Sequence, residues 1–159
     1  MTLVELNRLP EYRAETEFAR CCGSIRWARL MTAERPFGSV EVLAAAAQRL
    51  WWSLVAADWL EAFAAHPRIG ERAGSAWAAE EQAGAASMSD EMRQRFADLN
   101  HDYERRFGYT FLVCATGRSA DEMRLILERR LHNEPAEELQ IAADEQRKIT
   151  DQRLAKLVT

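Results

Sequence analysis

Cysteine, proline and glycine are all scarce in this chain, with 3, 4 and 7 of them in 159 residues. The three cysteines, Cys21, Cys22 and Cys114, are odd in number and lack a CxxC spacing. That excludes a disulfide framework and a thiolate zinc site, and leaves the reduced, packed thiols of a cytosolic protein. No apolar run approaches the ~20 residues that a bilayer span needs, so no membrane partner is expected. The start, Met1-Thr2-Leu3-Val4-Glu5-Leu6-Asn7, lacks the charged-then-apolar form of a signal peptide, and Lys156-Leu157-Val158-Thr159 is no peroxisomal tail. Excess charge is missing too. A net charge of −4, with arginines interleaved among acids, gives no electrostatic reason to expect nucleic acid. There is no GxSxG, no glycine-rich phosphate loop and no HExxH. His101 and His132 lack a histidine four residues away, so no metal site is expected.

What the chain does have is helix periodicity. Hydrophobic residues make up 48% and charged residues 29%, an ordinary globular balance, and the length suits one domain over 1–159. Helices are expected from about Pro10 to Cys22 and around Ile25–Met31. Ser39 can cap a third, with Val40, Leu43, Ala47, Leu50, Trp51 and Leu54 on one face. A fourth carries Trp59, Leu60 and Phe63 towards His66, and residues 67–75 read as loop. Helix restarts near Ala78 and pauses at Gly84; Ser87 or Ser89 then caps a long one ending at Gly108. Ser119 and Glu122 form a capping box for the next, and Pro135 starts a last helix running to about Leu157. The expected fold is all-α, a single-domain helical bundle of about seven to nine helices.

Four features stand out against this background. His66 precedes Pro67, which pushes it out of the α region, so it marks a helix exit. A histidine there suits acid–base work, or it can simply meet the negative end of the helix dipole. Glu81-Gln82 forms a carboxylate–amide pair. Arg153 shares a helix face with Ile149 and Leu157, so it is paired, meets an anion, or snorkels from the helix end. Finally, Tyr109 to Ala115 is a short apolar run with no obvious strand partner. Its backbone groups must find partners, either a ligand or neighbouring side chains and water.

The order of these residues is similar to that of a known family. Asp58-Trp59-Leu60, then Ala65-His66-Pro67-Arg68-Ile69-Gly70-Glu71, then Glu81-Gln82-Ala83-Gly84 resembles the OHCU decarboxylases. OHCU is 2-oxo-4-hydroxy-4-carboxy-5-ureidoimidazoline. Further matches are Leu6-Asn7, Arg35-Pro36-Phe37, Leu99-Asn100-x-x-Tyr103 and Arg106-Phe107-Gly108-Tyr109-x-Phe111. Arg130-Leu131-x-Asn133-(x)3-Glu137 and Glu145-x-x-Lys148-Ile149-x-x-x-Arg153-Leu154 continue the pattern, so it covers nearly the whole chain.

The resemblance implies an all-α homodimer, a carboxy-lyase that needs no cofactor, and the last step from urate to (S)-allantoin. Urate oxidase and hydroxyisourate hydrolase would supply its substrate. It implies that His66 is the catalytic acid/base, and the substrate's chemistry leads us to expect that Glu81 shares the proton handling. Pro67, Glu81, Gln82 and Arg153 would hold the substrate, and Phe111, Leu112, Val113, Cys114 and Ala115 would offer it backbone hydrogen bonds. One position departs from the family, which reads Ser-x-x-Glu-Gln where this chain has Ala78-Ala79-Glu80-Glu81-Gln82. A serine at 78 would cap the helix and offer a hydroxyl to the substrate, and losing the cap costs about 1 kcal/mol. Ser75 could stand in. Ala78 also supports an alternative, a catalytically impaired member acting as a ligand-binding or assembly module. A third reading is a lyase for a related ureido acid. Only two lysines stand among the basic residues, the usage of a GC-rich bacterial genome, so a bacterial cytoplasm is the expected location.

Overall fold

The computed structural model describes residues 1–71 and 76–159. Among the described residues there are nine α-helices and one 3₁₀ turn, and no strand. The helices are α1 Leu3–Arg8, α2 Glu11–Cys21, α3 Ile25–Ala33, α4 Val40–Ser53, α5 Ala56–Ala64, α6 Ala76–Glu81, α7 Asp90–Phe107, α8 Ala120–Arg130 and α9 Pro135–Leu157. The all-α expectation holds. Ser39, Ser89 and Ser119 each accept a hydrogen bond from a first-turn N–H, and Ser119 with Glu122 completes the expected capping box. Gly108 ends α7 with φ 83°, the left-handed conformation that favours glycine.

The chain divides into two compact units, Met1–Ala62 with Gln146–Thr159, and Phe63–Glu145. The division falls inside α5 and inside α9.

In the first unit, Trp27 is fully buried and its indole N–H donates to the Ala47 carbonyl at 3.1 Å, tying α3 to α4. Trp59 does the same for α5, donating to Trp51 at 3.0 Å. Helix α1 was not expected from the sequence, since six residues alone make a marginal helix. Distant contacts hold it. The Asn7 amide exchanges two 2.9 Å hydrogen bonds with the Phe37 backbone, and the Arg35 guanidinium donates to the carbonyls of Leu6 and Leu9. Val40, expected on the buried face of α4, is 45% exposed, because it sits in the first turn beyond the reach of the core. Cys21 and Cys22 here, and Cys114 in the second unit, are buried and in no disulfide, as expected.

The core of the second unit gathers Ile69, Ala85, Phe96, Leu99, Tyr103, Phe111 and their neighbours on α8. Tyr103 is its centre, with the rings of Phe107, Tyr109 and Phe111 all within 5.9 Å of it. Aromatic edges meeting faces in this way add to the burial of the rings themselves.

Candidate active site

His66 lies two residues beyond the end of α5, half-buried, with its own N–H donating to the Phe63 carbonyl at 3.1 Å. This is the helix exit that the following Pro67 predicts. The loop that continues from it is pinned to α7. Arg68 grips the Glu104 carboxylate with two donors at 2.5 and 3.0 Å. Asn100 donates to the Ile69 carbonyl at 3.3 Å, and Arg93 to the Gly70 carbonyl at 3.1 Å. Residues 93, 100 and 104 lie on one face of α7, spaced by two and then three turns from the first. Arg68 is 46% exposed, so its ion pair contributes little energy. What the pair supplies is geometry, and Glu104 holds the Arg68 guanidinium even more firmly protonated than usual. A cavity of about 290 Å³ remains beside the pinned loop, lined by Arg68, Asn100, His101 and Glu104 among others.

Glu81 is the last residue of α6 and is buried at 7% exposure, with half-buried Gln82 following it. A buried carboxylate is expensive to keep, which marks Glu81 as more than a solvated helix residue. The structure corrects the expectation about Ala78. Position 78 is the third residue of α6, and its carbonyl already accepts from the Gln82 N–H at 3.1 Å. A serine there would not be the cap, so the capping penalty disappears and only the missing hydroxyl remains. Ser75 lies outside the described residues. After Gln82 the chain makes a 3₁₀ turn, Ala83–Ala85, that presses Gly84 onto the Arg118 carbonyl. A Cβ at Gly84 would stand 2.1 Å from that oxygen, so nothing larger than glycine fits.

Phe111, Leu112, Val113, Cys114 and Ala115 are all buried and form neither helix nor strand. Three of their carbonyls find protein partners: Arg130 donates to Leu112 at 2.6 Å, while Arg118 donates to Cys114 through its side chain and to Ala115 through its backbone. Of the two kinds of partner expected for this run, neighbouring groups therefore serve these three carbonyls. Sequence reasoning gave Arg130 no role beyond its place in the family pattern, and missed the buried Glu138 it pairs with at 2.7 Å. The resemblance had matched Glu137 instead, which is exposed, whereas Glu138 is fully buried. A signal existed. Met123, Leu127 and Arg130 follow helical spacing, which puts Arg130 on the apolar face of α8.

His66, Pro67, Ala78, Glu81, Gln82 and the Phe111–Ala115 segment all belong to the second unit. Three of their segments run into one core: Ile69 from the histidine loop, Ala85 from the turn after Gln82, and Phe111, Val113 and Ala115. Arg153 belongs to the first unit, half-buried on α9, with one guanidinium nitrogen 3.4 Å from the Arg20 carbonyl. Its charge lies near the buried Cys21 and Cys22. Burial pushes these thiols up to about 12 and about 11, with Arg153 pulling the other way. Among the described residues, no group of three His, Cys, Asp or Glu is placed to hold a metal ion, and no helix is long and apolar enough to cross a membrane.

Comparison with known proteins gives this arrangement a family. The family described as OHCU decarboxylase matches residues 7–155. The uric acid degradation bifunctional protein TTL of Arabidopsis thaliana is 39% identical over 152 residues, 90% of this chain. The chain spans only 47% of that relative's length. The 2-oxo-4-hydroxy-4-carboxy-5-ureidoimidazoline decarboxylase of Haloferax volcanii is 32% identical, with 98% of this chain and 95% of that protein covered. A crystal structure of OHCU decarboxylase in the presence of (S)-allantoin superposes with a TM-score of 0.81 at 39% identity, covering 89% of this chain and 96% of that one. By its helices, by the residues gathered around the histidine loop and by these matches, the chain belongs to the OHCU decarboxylase family.

Proposed function

We propose that this protein decarboxylates OHCU to (S)-allantoin and CO2, without a cofactor. The observation that carries the reading is that the His66 loop through Ile69, the turn after Gln82 through Ala85, and the Phe111–Ala115 run all pack into one core, with Glu81 buried just before that turn. The substrate carries its own electron sink. The carboxylate to be lost sits on a carbon next to a ring C=N bond, as in a β-imino acid. When its C–C bond breaks, CO2 leaves and the bonding pair moves into that C=N. The enol-like carbon then takes one proton, and the face from which it comes sets the (S) configuration. His66 and Glu81 manage the protons of the ring hydroxyl and imine, work that contributes typically ~10²–10⁴-fold. Pro67 and Gln82 line the substrate, and Ala78 meets it without the hydroxyl a serine would offer. The N–H groups of Phe111–Ala115 donate to it. The role of Arg153, orienting an anionic or carbonyl group, rests on the family resemblance.

We further infer a homodimer that works after urate oxidase and hydroxyisourate hydrolase, in a bacterial cytoplasm where the three thiols, none of them in a disulfide, stay reduced. The test is to generate OHCU in situ from urate with those two enzymes and to follow allantoin by circular dichroism. Faster appearance of the (S) enantiomer with protein present is expected. Racemic product at the spontaneous rate would overturn the proposal.

A further inference from the structure

We propose that Arg130 is a positioning residue for the substrate segment, and that buried Glu138 fixes it there. The inference rests on the proposed decarboxylase reading and deepens it. Arg130 is 6% exposed and Glu138 is fully buried. Taking such a pair out of water costs several kcal/mol per ion, and apolar residues of similar volume often serve stability as well. Stability alone is therefore a poor reason for the pair. Its geometry gives a better one.

Glu138 is immobilised by three donors. Oε1 accepts from the Tyr103 hydroxyl at 2.5 Å and from Arg130 Nε at 2.7 Å, and Oε2 accepts from the Asn133 amide at 3.0 Å. Arg130 Nη2 also stands 2.6 Å from Oε1. With one edge of its guanidinium held in this way, Arg130 turns its remaining nitrogen, Nη1, onto the Leu112 carbonyl at 2.6 Å. Its plane lies over the Phe111 ring, 4.7 Å from the centroid. A planar, rigid fork with donors on separate edges is well suited to span a carboxylate and a carbonyl in one fixed geometry.

The consequence falls on the next residue. The Leu112–Val113 peptide is trans and planar, so its C=O and N–H point in opposite directions. By holding the Leu112 oxygen towards itself, Arg130 aims the Val113 N–H away from α8. Arg118 Nε does the same one step on, at 3.1 Å from the Cys114 oxygen, and so aims the Ala115 N–H. In place of a neighbouring strand, two arginines orient a pair of backbone donors in a segment with no ladder of its own.

Two variants test this. Arg130→Lys keeps a charge for Glu138, but a compact ammonium lacks the separate Nε and Nη1 donors that hold Glu138 and the Leu112 carbonyl in one fixed orientation. The double variant Arg130→Met with Glu138→Leu removes both buried charges, an exchange that folded proteins tolerate. Both are expected to fold, to raise KM for OHCU about tenfold, the worth of one charged hydrogen bond, and to lower the optical purity of the allantoin. Amide exchange at 112–115, read by NMR without substrate, should accelerate in both while exchange along α7 does not. Unchanged KM and unchanged exchange in folded variants would overturn the proposal, as would the unfolding of both, which would make the pair a requirement of the fold. A wild-type protein that fails to turn over OHCU, with exchange still responding to Arg130→Lys, would instead overturn the decarboxylase reading.

Discussion

At His66 the chain places an imidazole, a group that can both give and take a proton, just past a helix, with a proline and then a pinned loop after it. Its position depends on backbone contacts of the neighbours, so removing the imidazole should spare the fold. His66→Ala is expected to keep the helical circular dichroism of the parent and to lose on the order of 10²–10⁴-fold in kcat. Near-normal turnover in that variant would remove His66 from the mechanism. Cys21 and Cys22 carry a second residue-level prediction. Burial raises their pKa values from 9.0 to about 12 and about 11. A thiol with a raised folded pKa holds its proton more tightly in the folded chain. Its stabilising contribution is complete below the unfolded value near 9.0 and is lost as pH rises through the folded ones. Denaturant unfolding from pH 8 to 11 should therefore show stability falling above pH 9, by about 2–3 kcal/mol per thiol at the top of the range. Replacing both cysteines by alanine should make that limb shallower between pH 9 and 10, while the Tyr103 and Tyr109 hydroxyls, also raised by burial, keep part of it above pH 10.

Helix α7 shows how one element does several jobs. Its apolar face, Phe96, Leu99 and Tyr103, builds the core, while Arg93, Asn100 and Glu104 pin the histidine loop. The apolar face is legible from spacing alone. The pinning face reads only as an ordinary polar stripe, because its partners are loop carbonyls and a guanidinium more than twenty residues away. The 3₁₀ turn after Gln82 is the opposite case, a feature with little pattern but a tight requirement. Gly84→Ala would drive a Cβ into the Arg118 carbonyl, and since that contact is backbone, the turn must shift. The expected cost is about 1–3 kcal/mol in denaturant unfolding, the usual range for overpacking. A weaker grip on substrate should accompany it, because Glu81 and Gln82 precede this turn. Unchanged stability would mean that the two segments separate without penalty.

For the molecule as a whole, we take 1–159 as one domain. Helices α5 and α9 each contain residues of both units. A single cooperative thermal transition, seen alike by far-UV circular dichroism and tryptophan fluorescence, is the expected result. Two separated transitions would show the units to be independent folding bodies.

The sequence alone determined the helical class, most helix boundaries, the serine caps, the glycine stop at Gly108 and the exit at His66. These depend on spacing and on contacts within about four residues, which the chain carries wherever it goes. Only the tertiary structure decided that Glu138 and not Glu137 is buried, that Arg130 reaches Leu112, and that α1 is held by Asn7 and Arg35. Arg130 sits in the last turn of α8, where a basic residue already has a local reason to be, so its sequence position conceals its longer reach. Those contacts join residues from 8 to 30 positions apart. At such separations only the folded chain decides which polar group meets which.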